Sequence, residues 1–178
     1  MDGTPEPTRR LFIGLFPDAA VQAAIDAQRA RWQWPPGCRL TRAERMHLTL
    51  HFLGEVNPQR EAALQDGLAK LPMHPLTLVL GSPQVWHNRV AVLVASEHQG
   101  LRSLHDALTR QVLHAGLAPS DTRWTPHLTI ARDALGATPP ADAPPIRWRV
   151  SEFVLVWSRT APVWRHDVLA RYPAPLSH

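Results

Sequence analysis

His47-Leu48-Thr49-Leu50 and His127-Leu128-Thr129-Ile130 are two copies of one pattern, eighty positions apart in a chain of 178 residues. Histidine, with an ordinary pKa of about 6.5, gives or takes a proton near neutrality. Two of them on opposite sides of a reacting centre suit an in-line displacement. One activates a water and the other protonates the departing oxygen. On an extended strand the threonine hydroxyl two residues on reaches the same side, where it can donate to oxygens gathering negative charge on phosphorus. The chemistry is phosphoryl transfer with no obligatory metal. About 0.6 His-x-Thr matches are expected by chance at this composition, but only on the order of 0.01 of the fuller His-Leu-Thr-Leu/Ile pattern, which occurs twice.

Other chemistry finds less support. A metal site would recruit His47, His51 and His127, since His51 shares the alternating face of His47 and Thr49. No His-Glu-x-x-His helix accompanies them, and Glu44 and Glu55 lie outside that face. His51 then reads as a polar residue at the cleft edge. The remaining histidines, among them His105 and His166, read as solvated surface. There is no Gly-rich phosphate loop and no Gly-x-Ser-x-Gly elbow, and Cys38 reads as an inert thiol.

The motifs need strands that turn their Leu and Ile positions into a core. Arg9–Phe16 alternates as a strand, and Pro17-Asp18 opens a helix with Val21, Ile25, Gln28 and Trp32 on one face, ended by Pro35-Pro36-Gly37. Met46–Leu53 is the first motif strand, closed by Gly54. Asn57-Pro58 starts a second helix with a Leu64, Leu68, Leu71 stripe, and Pro72 stops it. Leu76–Leu80 and Val90–Ala95 read as strands around a turn near His87-Asn88. A third helix carries Leu101, Leu104, Leu108 and Val112 on one face and ends at Gly116. Arg123–Ala131 is the second motif strand and residues 133–145 a loop. Ile146–Ser158 alternates, and Val163–Tyr172 returns as its hairpin partner. The mixture of hairpins and helices makes an α+β fold with antiparallel pairing, in two related lobes about a pseudo-twofold axis. Residues 1–8 are expected to be a flexible tail and 9–178 one bilobal domain.

Composition is consistent with this. Hydrophobic content of 44% and 19% charged residues suit a globular chain, and one cysteine excludes an internal disulfide framework and suits the cytoplasm. No secretory signal and no membrane span are legible. Eighteen of the nineteen basic residues are arginine, Lys70 being the exception, and the net charge is +4. Arginine's planar fork of donors suits phosphate, so RNA is a compatible partner. Most of the seven tryptophans, including Trp32, Trp86 and Trp148, are assigned to packing.

Four stretches together are similar to one family: Arg10–Leu15, Met46–Val56, Trp124–Arg132 and Phe153–Ser158. From about residue 9 to residue 173 the chain resembles the two-histidine phosphoesterase superfamily, and within it the RNA 2',3'-cyclic phosphodiesterases, once called 2'-5' RNA ligases. The resemblance implies a two-lobed α+β domain with two antiparallel sheets lining a cleft, one motif from each, and helices outside. It implies hydrolysis of an RNA-terminal or nucleoside 2',3'-cyclic phosphate to a 2'-phosphate. His127 would be the base on water, His47 the acid, and Thr49 and Thr129 ligands of the phosphate. No cofactor, membrane or obligatory protein partner is implied, and a monomer is expected.

Phe52 and Arg132 each fall five residues after their histidine. By resemblance they flank the substrate, Phe52 by stacking and Arg132 by charge or stacking. Strict alternation puts both on the face opposite the histidines. They reach the cleft only if the strand twists, bulges or ends before them, which Gly54 and Asp133 allow. The other reading of Phe52 is a core residue. Trp157 stands where relatives often carry Tyr, and Trp164 where another aromatic is usual; both bear on the cleft's shape. Two alternatives remain open: a module that binds RNA ends without cleaving them, and an enzyme of the same superfamily acting on 2'-5' linked oligonucleotides or in 2'-5' ligation.

Overall fold

The computed structural model describes residues 3–119 and 123–176. Its elements are β1 (Arg9–Leu15), α1 (Ala19–Arg29), β2 (Arg39–Leu40), β3 (Leu48–Val56), α2 (Pro58–Ala69), β4 (Leu76–Val85), β5 (Ala91–Ala95), α3 (Gln99–His114), β6 (His127–Arg132), β7 (Ile146–Val150), β8 (Glu152–Arg159) and β9 (Arg165–Pro173). Each helix starts on a side chain that accepts from an otherwise unpaired backbone N–H. Asp18 accepts from Val21 at 2.9 Å, Asn57 from Arg60 at 2.9 Å, and His98 Nδ1 from Leu101 at 3.2 Å. Residues 3–8 carry no regular structure, although the Thr8 hydroxyl donates to Glu55 at 2.7 Å.

The strands form one antiparallel sheet in the order β7-β4-β5-β6-β3-β1-β8-β9, with β2 beside β6. The two sheets expected from the sequence are its halves, β7-β4-β5-β6 and β3-β1-β8-β9. They join where the motif strands meet, at the single pair Leu48 opposite Leu128. Each half contains one strand–helix–strand unit, β1–α1–β3 and β5–α3–β6, with the motif opening its last strand. The same unit used twice is the pseudo-twofold arrangement.

Ile146–Ser158 is not one strand. Ser151 divides it into β7 at one edge of the sheet and β8 next to the other. Adjacent Cα atoms are about 3.8 Å apart, so a one-residue link between such distant positions requires a strongly curled sheet. The sheet is a half-barrel, and the Ala174 N–H donating to the Ser151 carbonyl at 2.7 Å fastens the same corner.

Helices α1 and α3 pack on β7 and β3, and α2 packs on α3 and β9. Each crossover helix therefore covers the half to which its own strands do not belong. Leu48, Leu50, Leu128 and Ile130 are fully buried in this common core, which leaves the opposite face of the motifs to the cleft.

Candidate active site

His47 and His127 are held in the same way. His47 Nδ1 lies 2.7 Å from the Arg45 carbonyl, and His127 Nδ1 lies 2.8 Å from the Thr125 carbonyl. A carbonyl only accepts, so Nδ1 carries the proton in each ring and Nε2 is left to the cleft. The Thr49 hydroxyl is 3.0 Å from His47 Nε2 and donates to it when that imidazole is neutral. His47, Thr49, His127, Thr129 and Arg132 all line one cavity of about 490 Å³. Two motifs distant in sequence thus converge on one space.

Phe52 and Arg132 reach the cleft through a pair of β-bulges. Gly14 is opposite Thr49 and Ile13 opposite His51, so Leu50 is an extra residue in β3. Val92 is opposite Thr129 and Ala91 opposite Ala131, so Ile130 is an extra residue in β6. Both bulges fall three residues after the histidine. An extra residue reverses the alternation beyond it, which turns the residue five after each histidine back to the motif face. Phe52 is 44% exposed and lines a second cavity of about 410 Å³ that shares His47, Thr49, Arg132, Trp164 and His166 with the first. Gly14 permits the bulge in β3, since a Cβ there would lie 3.1 Å from the Leu48 carbonyl oxygen. Gly54 does not end the strand; it sits inside β3 with φ +67°.

The bulge that turns Phe52 outward turns His51 inward. His51 is fully buried behind β3, not at the cleft edge as alternation implied. It stacks at 4.3 Å on His105, which stacks at 4.0 Å on Trp124. The Trp124 indole donates to the Thr49 carbonyl at 3.1 Å, so this column braces the bulge from behind. His105 is therefore no surface residue, and burial holds it at about 4.

Aromatic rings flank both cleft histidines. Phe12 and Phe16 stack on His47 at 4.5 and 5.3 Å, and His166 meets it edge-on at 5.3 Å. Trp86, assigned to packing from the sequence, leans against His127 at 4.4 Å. Burial lowers the His47 pKa to about 4; the Arg45 carbonyl opposes this, and the charges of His166, His127 and Arg132 add to it. His127 is lowered by burial against the pull of the Thr125 carbonyl. Both shifts favour the neutral imidazole.

Sequence reasoning missed several cleft residues. His166, read as surface, lines both cavities, because β9 follows β8 round the curl and brings its first turn over His47. Arg39, Arg42 and Arg45 line the larger cavity from β2 and the turn after it. Their three-residue spacing after Pro-Pro-Gly was the available signal. Trp164 also lines both cavities, with the guanidinium groups of Arg45 and Arg132 at 4.7 and 5.7 Å from its ring. Trp157 lines neither and is clasped between Arg9 and Arg159 at 4.8 and 4.3 Å. Among the described residues no cluster of His, Cys, Asp or Glu has the makings of a metal site.

Comparison with known proteins gives this arrangement a family. The family model described as the 2'-5' RNA ligase superfamily matches residues 16–162. The chain belongs to that superfamily. Among its members, the RNA 2',3'-cyclic phosphodiesterase of Escherichia coli strain K12 is 33% identical over 159 residues, spanning 86% of this chain and 89% of the relative. The RNA 2',3'-cyclic phosphodiesterase of Archaeoglobus fulgidus is 24% identical over 127 residues, 69% of this chain and 72% of its own. The crystal structure of E. coli LigT in apo form superposes with a TM-score of 0.81 at 30% identity, covering 96% of this chain and all of that one (100%). LigT complexed with 3'-AMP gives 0.79 at 29% identity over the same shares, 96% and 100%. The α+β fold with its antiparallel sheet lining a cleft is that of the superfamily, and no helix among the described residues is long and apolar enough to cross a membrane.

Proposed function

We propose that this protein is an RNA 2',3'-cyclic phosphodiesterase: a hydrolase that opens the cyclic phosphate at RNA or nucleoside ends to leave a 2'-phosphate and a free 3'-hydroxyl. The observation carrying this reading is that two imidazoles, each with Nδ1 tied to a backbone carbonyl, present Nε2 to one cavity beside two threonines and Arg132. The named activity of the E. coli and A. fulgidus relatives supports the same reaction.

His127 Nε2 removes a proton from water as its oxygen bonds to phosphorus. The bond from phosphorus to O3' breaks, and His47 delivers a proton to that oxygen. Thr49, Thr129 and the Arg132 guanidinium hold the non-bridging oxygens as charge develops on them. Burial against Phe12 and Phe16 disfavours the His47 imidazolium, so the negative charge of a bound phosphate must offset that burial for the ring to act as the acid. Proton transfer and charge neutralisation are both supplied by side chains, so the reaction is metal-independent. Both histidines belong to one chain, so a monomer in the cytoplasm suffices.

The test is an oligoribonucleotide ending in a 2',3'-cyclic phosphate, incubated in EDTA and followed by phosphorus NMR. Conversion to a terminal 2'-phosphate is expected. His47→Ala and His127→Ala should each lower the rate by about 10²–10⁴-fold. Tight binding with unchanged substrate would favour an RNA-end binding module instead, and a 3'-phosphate product would exclude the assigned leaving group.

A further inference from the structure

Four arginines, Arg39, Arg42, Arg45 and Arg132, line the larger cavity, and among the described residues no carboxylate lines it with them. Arg39 and Arg132 stand directly opposite each other in the β2–β6 ladder, where like charges repel. Arg39 is paired with Asp133 at 2.8 Å, but Arg42, Arg45 and Arg132 make no ion pair among the described residues. So dense an arrangement of uncompensated charge is suited to an anion larger than one cyclic phosphate, which carries a single negative charge.

The two cavities divide the work. They share His47, Thr49 and Arg132, and Trp164 stands at their common wall between the Arg45 and Arg132 guanidinium groups. One opening is aromatic, with Phe12 and Phe52, and fits a nucleobase. The other is the arginine side, with exposed Leu40 among Arg39, Arg42 and Arg45. A cyclic mononucleotide has only its base to offer beyond the phosphate, and so fills one of them. A strand end has more: the preceding nucleotide and the phosphodiester that joins it.

Resting on the activity proposed above, we infer that Arg39, Arg42 and Arg45 form a second anion subsite that takes the phosphodiester linking the terminal nucleotide of an RNA strand to the one before it. The enzyme therefore selects strand ends over cyclic mononucleotides. Arginine is the residue for this because its fork donates to two phosphate oxygens at once.

The experiment compares kcat/KM for adenosine 2',3'-cyclic phosphate, for the dinucleotide ApA ending in a 2',3'-cyclic phosphate, and for the same dinucleotide with an uncharged methylphosphonate linkage. The charged dinucleotide should exceed both others by about tenfold, the scale of one charge-assisted hydrogen bond. Arg42→Ala, and more so Arg39→Ala with Arg42→Ala, should lower kcat/KM for the charged dinucleotide several-fold more than for the mononucleotide, with thermal melting confirming that the variants fold. Equal rates for the charged and uncharged dinucleotides, or equal losses on all three substrates, would overturn the subsite while leaving the hydrolysis intact. Should none of the three be hydrolysed, the proposed activity falls. Anisotropy of labelled ApA carrying a terminal 2'-phosphate, with and without the charged linkage, then decides the subsite alone: equal affinities would sink it, tighter binding of the charged form would sustain it.

Discussion

With Nδ1 of each imidazole given over to a carbonyl, only Nε2 of His47 and of His127 is left for the proton exchange proposed above. Burial lowers both pKa values, His47 to about 4. Catalysis needs one ring protonated and one neutral, a combination most populated between the two pKa values of the pair. Both lie below the usual histidine value, so kcat/KM, which reports the free enzyme, should peak on the acid side of neutrality and decline as pH rises through 7. A bound phosphate anion favours the imidazolium and raises both values. The kcat optimum should accordingly lie at higher pH than that of kcat/KM. Initial rates across pH 4–9 at low and saturating substrate check this, and a kcat/KM still climbing above neutrality would contradict it.

At the scale of elements, the paired bulges at Leu50 and Ile130 decide which side chains face the cleft. Sequence alternation assumes an unbroken ladder, and for that reason it placed His51 in the cleft and left Phe52 and Arg132 conditional. The bulge in β3 is supported by the Trp124 indole on the Thr49 carbonyl. Trp124→Phe keeps a ring on His105 but removes the donor; it should cost about 1–3 kcal/mol, read from denaturant unfolding. The column behind the bulge also sets an acid limit. His105 is held at about 4 and His51 is lowered, both chiefly by burial, whereas the unfolded chain protonates them near the ordinary 6.5. The unfolded state then binds more protons, so stability from these residues is full above that value and lost as pH falls from about 6.5 towards 4. His105→Phe should flatten the fall of Tm over this window, measured by circular dichroism.

At the scale of the molecule, the two halves of the sheet share one direct pair at the motif strands, Leu48 with Leu128. Alignment of the two histidines rests on this seam and on helices that each cover the opposite half. Leu128 is fully buried, and Leu128→Ala should cost about 2–5 kcal/mol of stability in denaturant titration. The larger loss would mark a seam unable to collapse around the cavity. The arginine-rich composition takes its meaning at this scale too, because β2, the turn after it and the end of β6 gather four guanidinium groups into one cavity.

The repeated His-Leu-Thr pattern, the helix starts at Asp18 and Asn57, and the core positions of Leu48, Leu50, Leu128 and Ile130 were legible because they depend on neighbours close along the chain. Local spacing sets which residues cap a turn and which alternate into a core. Only the tertiary structure decided that Phe52 and Arg132 turn to the cleft, that Ser151 divides one apparent strand between two ends of a sheet, and that Trp86 and His166 stand against the two cleft histidines. Those outcomes depend on bulges and on sheet curl, which arise from pairing between strands far apart in sequence. No single stretch of residues carries that information.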